Sequence, residues 1–547
     1  MVARVTTQEN SGPAAPGPLR IGFLVGPSGV FENWEQRVFD RVMAAPGLVL
    51  AGFLVHPRPF RPQPISPVFR SLARLERAML AREPAYVSSH FSPNGQRFEH
   101  LPPAVDLDSS DAERTVRLVS DLGLDLVMRL TGVGLPDEAV RALPFGEWSL
   151  SFSDERSETA DWFGYDSVVH HAPSSALVLN ARYGAAPEIQ RLATSAFNTK
   201  FSAQRNAGFI KERAVTLLMR ELVRVAETGK LDAMPKPSQP TVPRPPPSGR
   251  NLLGYCGSLS GELLFRAGKA LYRKMGGGSA VWTLCTGCGD IENFDPRQSV
   301  EIVPDRDEIR ADPFLLQHDG GCYLFYEAYA SGDAKAHIAV ARLVGDRLER
   351  LGVALKRDYH LSYPFVFRHG RELFMMPETS QARRLEIWRC VEFPLKWELH
   401  STALHGLSPA DSVLTRYRDR WWLFTNLSDF HAYEDHCSEL HVFEVDGPGL
   451  SWVVPHRRNP VVLDSTTARN AGRMFERNGR LYRPSQRNEN GIYGYGLNIM
   501  LIEQLDRENY RERCVRTINP DFKPKLIGCH HFDAAGDRYI LDARLSL

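Results

Sequence analysis

In the N-terminal part of the chain, short apolar runs bounded by glycine and proline alternate with segments of helical spacing. RIGFLV at residues 20–25 and LVLAGFLV at 48–55 read as buried strands, and 34–44 between them places apolar residues at helical intervals. LDLVMRL at 124–130 predicts a further buried strand, followed by a short helix near 136–143. Residues 148–152 and 176–180 read as strands, and 204–227 as a long amphipathic helix. Alternation of this kind predicts an α/β domain built on a largely parallel sheet.

The pattern changes after residue 275, where helical periodicity gives way to short aromatic-rich strands. A repeat emerges there: DPFLLQHDGGCYLFYE from Asp312, YPFVFRHGRELFMMPE from Tyr363, DSVLTRYRDRWWLFTN from Asp411, AGRMFERNGRLYRPSQ from Ala471 and GCHHFDAAGDRYILDAR from Gly528. Each copy reads as a strand, a charged Asp/Gly/Asn turn and a second strand. Starts about 50 to 60 residues apart suit four-stranded blades, so five copies predict a five-bladed β-propeller. Strands between 255 and 303 are expected to complete the last blade and close the ring. Residues 230–250 hold seven prolines and read as a stiff linker. The expected layout is a disordered tail at 1–18, an α/β domain at 19–229, the linker at 230–250 and the propeller at 251–547.

Composition narrows the function classes. The chain has 547 residues with 43% hydrophobic and 24% charged residues, which excludes a wholly disordered or fibrous protein. A net charge of +1 gives no global pull towards nucleic acid or an anionic membrane, and no nucleic-acid partner is expected. Arg accounts for 55 of the 66 cations, so most positive groups can grip carboxylates or phosphates in bidentate fashion. Residues 1–18 hold no apolar stretch of the secretory kind, and no apolar run approaches the ~20 residues of a membrane span; a cytoplasmic protein without a transmembrane segment is expected. Residues 259–275 (LSGELLFRAGKALYRKM) form a basic amphipathic helix that suits inter-domain packing or membrane contact. Eight cysteines are too sparse for a disulfide scaffold. Cys285 and Cys288 form a lone CxxC, read as a turn with free thiols because zinc needs two further ligands. No GxGxxG or GKS/T loop occurs, and no cofactor and no metal are expected.

The strand at residues 146–154, with Ser149 and Ser151 at its centre, carries the first resemblance. Over residues 19–230 the chain resembles the Rossmann-like fold of the methionyl-tRNA and amino-sugar formyltransferases, in which a strand presents an Asn-x-His pair before an Arg-Gly loop. Here Ser149 stands where the Asn would be and Ser151 where the His would be, and Glu155-Arg156-Ser157-Glu158-Thr159 follows in place of the loop. Each lost oxyanion donor costs about 2.7–4 kcal/mol of transition-state stabilisation, so the resemblance implies a degenerate domain for which folate is not expected. His170 and His171 read as surface histidines at a strand end.

The motifs ADPF at Ala311, YPF at Tyr363, PET at Pro377, FPLKW at Phe393, PHRRNPV at Pro455, LYRPSQ at Leu481, YGYGLNI at Tyr493 and GCHHF at Gly528 carry the second. Through them residues 305–547 resemble the N-terminal domain of plant glucosamine inositolphosphorylceramide transferases. A separate glycosyltransferase domain carries catalysis in those plant proteins, so the resemblance places the repeats without assigning them an activity. The propeller is also distantly similar to five-bladed glycosidases, which project acidic residues from their innermost strands into one pocket. That likeness implies Asp312 as base or nucleophile and Asp411 as general acid, with Tyr363 where a third carboxylate is usual and Glu378 as a substitute acid.

The fourth and fifth repeats hold the densest polar chemistry. Arg469, Arg483 and Gln486 with Tyr493 and Tyr363 would hold a phosphate, carboxylate or polyhydroxylated ligand. His530 is a further acid/base or ligand candidate. Adjacent strand residues face opposite ways, so only one of His530 and His531 is expected in the pocket. The expected function is group transfer or glycan processing on a sugar, amino sugar or other small polar metabolite at the propeller pocket. One alternative is a non-catalytic binding or scaffold protein, with a protein partner through the first domain. Another is acyl or formyl transfer at a rearranged first-domain site.

Overall fold

A computed structural model describes residues 4–5, 17–27, 30–57, 66–81, 88–90, 104–107, 111–152, 164–234, 248–274, 281–302, 308–330, 333–428 and 435–546. They fall into two compact units, one drawn mainly from Asn10–Arg266 and the other from Ala267–Asp429 and Glu434–Leu547.

The first unit is α/β. Its seven-stranded sheet runs Glu188–Asn198, Ser174–Tyr183, Glu147–Ser151, Leu126–Arg129, Leu19–Val25, Leu48–Val55, Ala104–Asp106. The last five in that order are mutually parallel, and the first two form an antiparallel hairpin on the edge of Glu147–Ser151. Continuous apolar runs follow from this, because Phe23, Leu24, Phe53, Leu54, Val127 and Met128 are covered on both faces. The helix Ala203–Thr228 starts at the Ser202 cap and ends at Gly229, whose φ of 63° suits a left-handed C-terminal position. His170 and His171 follow the short helix Tyr165–Val169, so they sit at a helix end instead of a strand end.

The helix Gly249–Lys274 crosses the division between units at Arg266/Ala267. Its first turns pack into the first unit, where Tyr255 donates from its hydroxyl to Glu76 (2.9 Å) and accepts from the Ala203 amide (2.9 Å). The proline-rich stretch at 235–247 lies outside the described residues.

The second unit is a five-bladed β-propeller. Four blades are continuous in sequence: blade 1 from Glu308–His318 to Arg347–Leu355, blade 2 from Ser362–His369 to Lys396–Ala403, blade 3 from Ala410–Tyr417 to Trp452–Pro455, and blade 4 from Phe475–Arg477 to Tyr510–Ile518. Blade 5 closes the ring from both ends, as Arg538–Leu545 pairs antiparallel with Val281–Cys288 along its whole length. The CxxC segment is therefore strand, not turn; Cys285 is buried and Cys288 exposed. The inner hairpins turn at Asp319-Gly320, Arg418-Asp419 and Asn478-Gly479, with positive φ at both residues of each. That geometry matches the strand twist and is what two-residue loops require.

Candidate functional site

The innermost strands of blades 1, 2 and 3 share one irregularity. Pairing with the second strand skips from Ala311 to Phe314, from Ser362 to Phe365 and from Ala410 to Val413. In each gap the first residue takes a left-handed φ: 50° at Asp312, 48° at Tyr363 and 43° at Asp411. None is glycine, and such a conformation costs of order 1–3 kcal/mol at a non-glycine residue. Three blades repeating it implies a function for the side chains it aims. Opposite the start of each bulge, the second strand carries a polar residue: Glu327 pairs with Ala311, Glu378 with Ser362 and Asn426 with Ala410.

These groups converge. Asp411 is buried and accepts from Arg469 Nε (2.6 Å) and Gln486 Nε2 (3.0 Å), and the same guanidinium lies 3.5 Å from Glu378. Tyr493 spreads its ring 5.1 Å from the Arg469 guanidinium. Across the basin, Asp312 faces His530 Nε2 at 3.8 Å and His531 Nδ1 at 3.6 Å. Asp542 lies behind them: its Oδ1 accepts from the amides of His530 and His531 (2.9 Å each) and its Oδ2 sits 2.5 Å from His530 Nδ1. The His530 ring is stacked on Trp282 at 4.0 Å and meets Tyr493 edge-on at 5.3 Å. Glu327 lies 3.4 Å from His360.

Burial and mutual charge drive the carboxyl groups apart in acidity. Burial alone would raise Asp312, but the His531 hydrogen bond and the charges of His530, His531 and Arg469 outweigh it and hold it at about 2. Asp411 goes the other way: burial, only partly offset by Arg469 and reinforced by Glu378 and Asp312, pushes it to about 7. Glu327 is raised well above the usual carboxyl range by burial and then by Asp312, Glu378, Asp542 and Asp411. These mutual effects place Asp312, Glu327, Glu378, Asp411 and Asp542 within electrostatic reach of one another. His530 is raised despite burial, because Asp542 and Asp312 favour its cation. Tyr493 is 39% exposed as a residue, yet burial of its hydroxyl, with the charges of Asp411 and Asp312, raises its pKa well above the usual phenol range.

Residues 299–526 match the family model described as glucosamine inositolphosphorylceramide transferase 1, N-terminal. The propeller region is similar to that domain. Glucosamine inositolphosphorylceramide transferase 1 of Oryza sativa subsp. japonica is 38% identical over 206 residues, which cover 37% of this chain and 27% of that protein. The Arabidopsis thaliana protein of the same name is 36% identical over 208 residues, 37% of this chain and 26% of that protein. The chain thus spans about a quarter of the length of these curated relatives. Among solved structures, the family 117 glycoside hydrolase Zg3597 of Zobellia galactanivorans is 11% identical with a TM-score of 0.32, over 49% of this chain and 91% of that one. An α-L-arabinofuranosidase from Lactobacillus brevis is 14% identical with a TM-score of 0.31, over 43% and 90%.

The structure sorts the residues singled out in the sequence. Asp312, Asp411, Glu378, His530, Arg469, Gln486 and Tyr493 join the basin. Tyr363 and Arg483 are held in the frame. The Tyr363 hydroxyl accepts from the Gly472 amide (2.7 Å) and donates to the Gly472 carbonyl (3.1 Å), so its capacity is used on the chain. Arg483 is fully buried and forks onto Glu512 (2.9 and 2.6 Å) and the Thr467 and Ala468 carbonyls. In the first unit, Ser151 accepts from Asn180 (3.0 Å), while residues 155–159 lie outside the described residues.

Two expectations are corrected. Both histidines of the GCHHF motif approach Asp312, because residues 529–531 are not in a strand and alternation does not govern them. The expected absence of any metal or cofactor is overturned by Asp312, His530 and Asp542, which each offer a ligand atom within 4.8 Å of the others in a buried group able to hold an ion. Fully buried His531, whose Nδ1 lies 3.6 Å from Asp312, adds a fourth donor, and a second nitrogen, beside it. Sequence reasoning missed Glu327 and Asp542, and expected only one of His530 and His531 in the pocket. Aligning the repeats on their last residues would have found Glu327, which stands at the end of the first copy where Glu378 ends the second.

Proposed function

We propose that the propeller basin binds an amino sugar and acts on its glycosidic bond, by transfer or hydrolysis. The observation that carries this reading is the bulge repeated in three blades, which brings Asp312 and Asp411 together with Glu327 and Glu378 in one buried basin. Five carboxyl groups, counting Asp542, stand against the Arg469 guanidinium and the His530 imidazole, and an amine on a hydroxyl-rich ligand would relieve the repulsion that helps raise Asp411 and Glu327. The name of the plant relatives, glucosamine inositolphosphorylceramide transferase 1, points the same way. In this reading Arg469 and Gln486 hold Asp411 as the proton donor to the leaving oxygen, and Asp312 is the opposing base or nucleophile. Trp282 and Tyr493, on either side of His530, offer the aromatic surfaces on which a sugar ring packs.

The cluster of Asp312, His530 and Asp542 favours a second assignment for Asp312 alone. A divalent cation held by these mixed nitrogen and oxygen donors would supply Lewis-acid polarisation of a substrate oxygen. The first unit we read as a degenerate formyltransferase-like domain, since Ser149 and Ser151 provide neither the amide nor the imidazole that formyl transfer needs. A thermal-shift screen across amino sugars, neutral sugars, sugar nucleotides and folates tests the whole reading. A shift with amino sugars that Asp411→Asn abolishes is the expected result; a shift with folates alone would move the activity to the first unit.

A further inference from the structure

Two helices, Pro67–Leu80 of the first unit and Gly249–Lys274 whose first turns pack there, keep apolar residues in water that their packing does not use. Pro67–Leu80 buries Phe69 in a small core with Leu252, Tyr255 and Leu259 of Gly249–Lys274. A second apolar stripe on the first helix, Val68, Leu75 and Met79, is 57–69% exposed, with the i, i+7, i+11 spacing of one helix face. On the second helix Leu253, Leu264 and Phe265 are 66–77% exposed. Each helix thus shows one apolar stripe to the core and another to solvent, which a soluble surface does not require.

The charge around these stripes has one sign. Between residues 67 and 80 the cations are Arg70, Arg74 and Arg77, all exposed, and the only acid is the buried Glu76. The second helix carries Arg250, Arg266 and Lys269 against Glu262, which is itself paired with Arg266 (2.6 Å). Six cations stand against two carboxylates among the described side chains of the pair, although the whole chain is nearly neutral at +1. No helix among the described residues is long and apolar enough to cross a membrane.

We propose that these two helices dock the protein on a bilayer surface carrying anionic headgroups. Leucine, methionine and phenylalanine side chains would enter the acyl boundary while arginines and lysines meet the headgroups, each cation near the surface adding about 1 kcal/mol. Burial of apolar area alone would suit a second copy of the chain equally well. The concentration of positive charge decides between them, because two copies meeting through this face would bring like charges together.

Co-sedimentation of the full chain with vesicles tests the docking. The protein should pellet with vesicles of phosphatidylcholine containing about 30% phosphatidylserine and remain in solution with phosphatidylcholine alone. Binding should weaken at about 1 M salt, where the Debye length falls to about 3 Å. Leu75→Glu combined with Leu264→Glu alters only exposed positions, so the circular dichroism spectrum should hold while vesicle binding falls at least about tenfold. Failure to pellet with the anionic vesicles, or pelleting of the double variant as strongly as the parent, would overturn the proposal. So would a dimer in sedimentation velocity that the double variant dissociates, which would make this face a self-association surface.

Discussion

At the scale of single residues, the basin separates groups that do chemistry from groups that hold the frame. Asp411 belongs to the first kind, and its acidity makes a checkable claim. Its carboxyl is raised from 3.8 to about 7 by burial, so between those values the folded state holds a proton that the unfolded chain has released. Stability from this group is therefore present below 3.8 and lost as pH rises towards 7. Asp411→Asn should flatten the decline in melting temperature over that window, read by calorimetry at a series of pH values. Arg483 belongs to the second kind. Arg483→Met leaves Glu512 buried without its fork and should cost about 3–5 kcal/mol in urea unfolding, with no loss of sugar affinity in the protein that remains folded. The metal cluster gives a third outcome. A divalent cation that stabilises the native protein should raise its melting temperature after chelator treatment, by about 2.7 kcal/mol at a hundredfold excess over Kd, and Asp542→Asn should erase the response.

At the scale of elements, the bulged inner strand is the unit that explains the site. Its residues were visible in the repeats, since DPF, YPF and DSV each open a copy. Their conformation was not, because nothing in side-chain pattern announces a left-handed aspartate at the start of a strand. The same blindness hid His531: period-two alternation put it on the far side, and the loop that carries it follows no such rule. Tyr363 shows how an element can absorb a polar group. Its hydroxyl bridges both backbone groups of Gly472 and ties blade 2 to the start of blade 4. Tyr363→Phe leaves the Gly472 amide and carbonyl without that partner and should cost about 1–3 kcal/mol, measured by denaturant titration, while ligand affinity stays as it was.

At the scale of the whole molecule, strand–helix alternation and a repeat of about 50 to 60 residues were enough to foresee an α/β unit followed by a five-bladed propeller. What the linear pattern could not carry was the meeting of blades. Asp542 lies in the second strand of the last blade, and its carboxylate links the two blades by accepting from the backbone amides of His530, His531 and Asp312. Such relays depend on ring closure, in which Val281–Cys288 completes the blade begun by the C-terminal strand. The family likeness covers residues 299–526 of this propeller, which hold Asp312, Glu327, Glu378, Asp411, Arg469 and Gln486, while Trp282, His530 and Asp542 lie outside the matched stretch. The central claim is that a carboxyl-lined basin in the propeller takes an amino sugar. Isothermal titration of glucosamine into the full chain, its Glu327→Gln variant and its Arg483→Met variant tests it most directly. The account predicts saturable binding that Glu327→Gln weakens by about tenfold or more, and that the folded Arg483→Met protein retains. Equal binding by the Glu327→Gln variant, or no saturable heat with the parent chain, would contradict it.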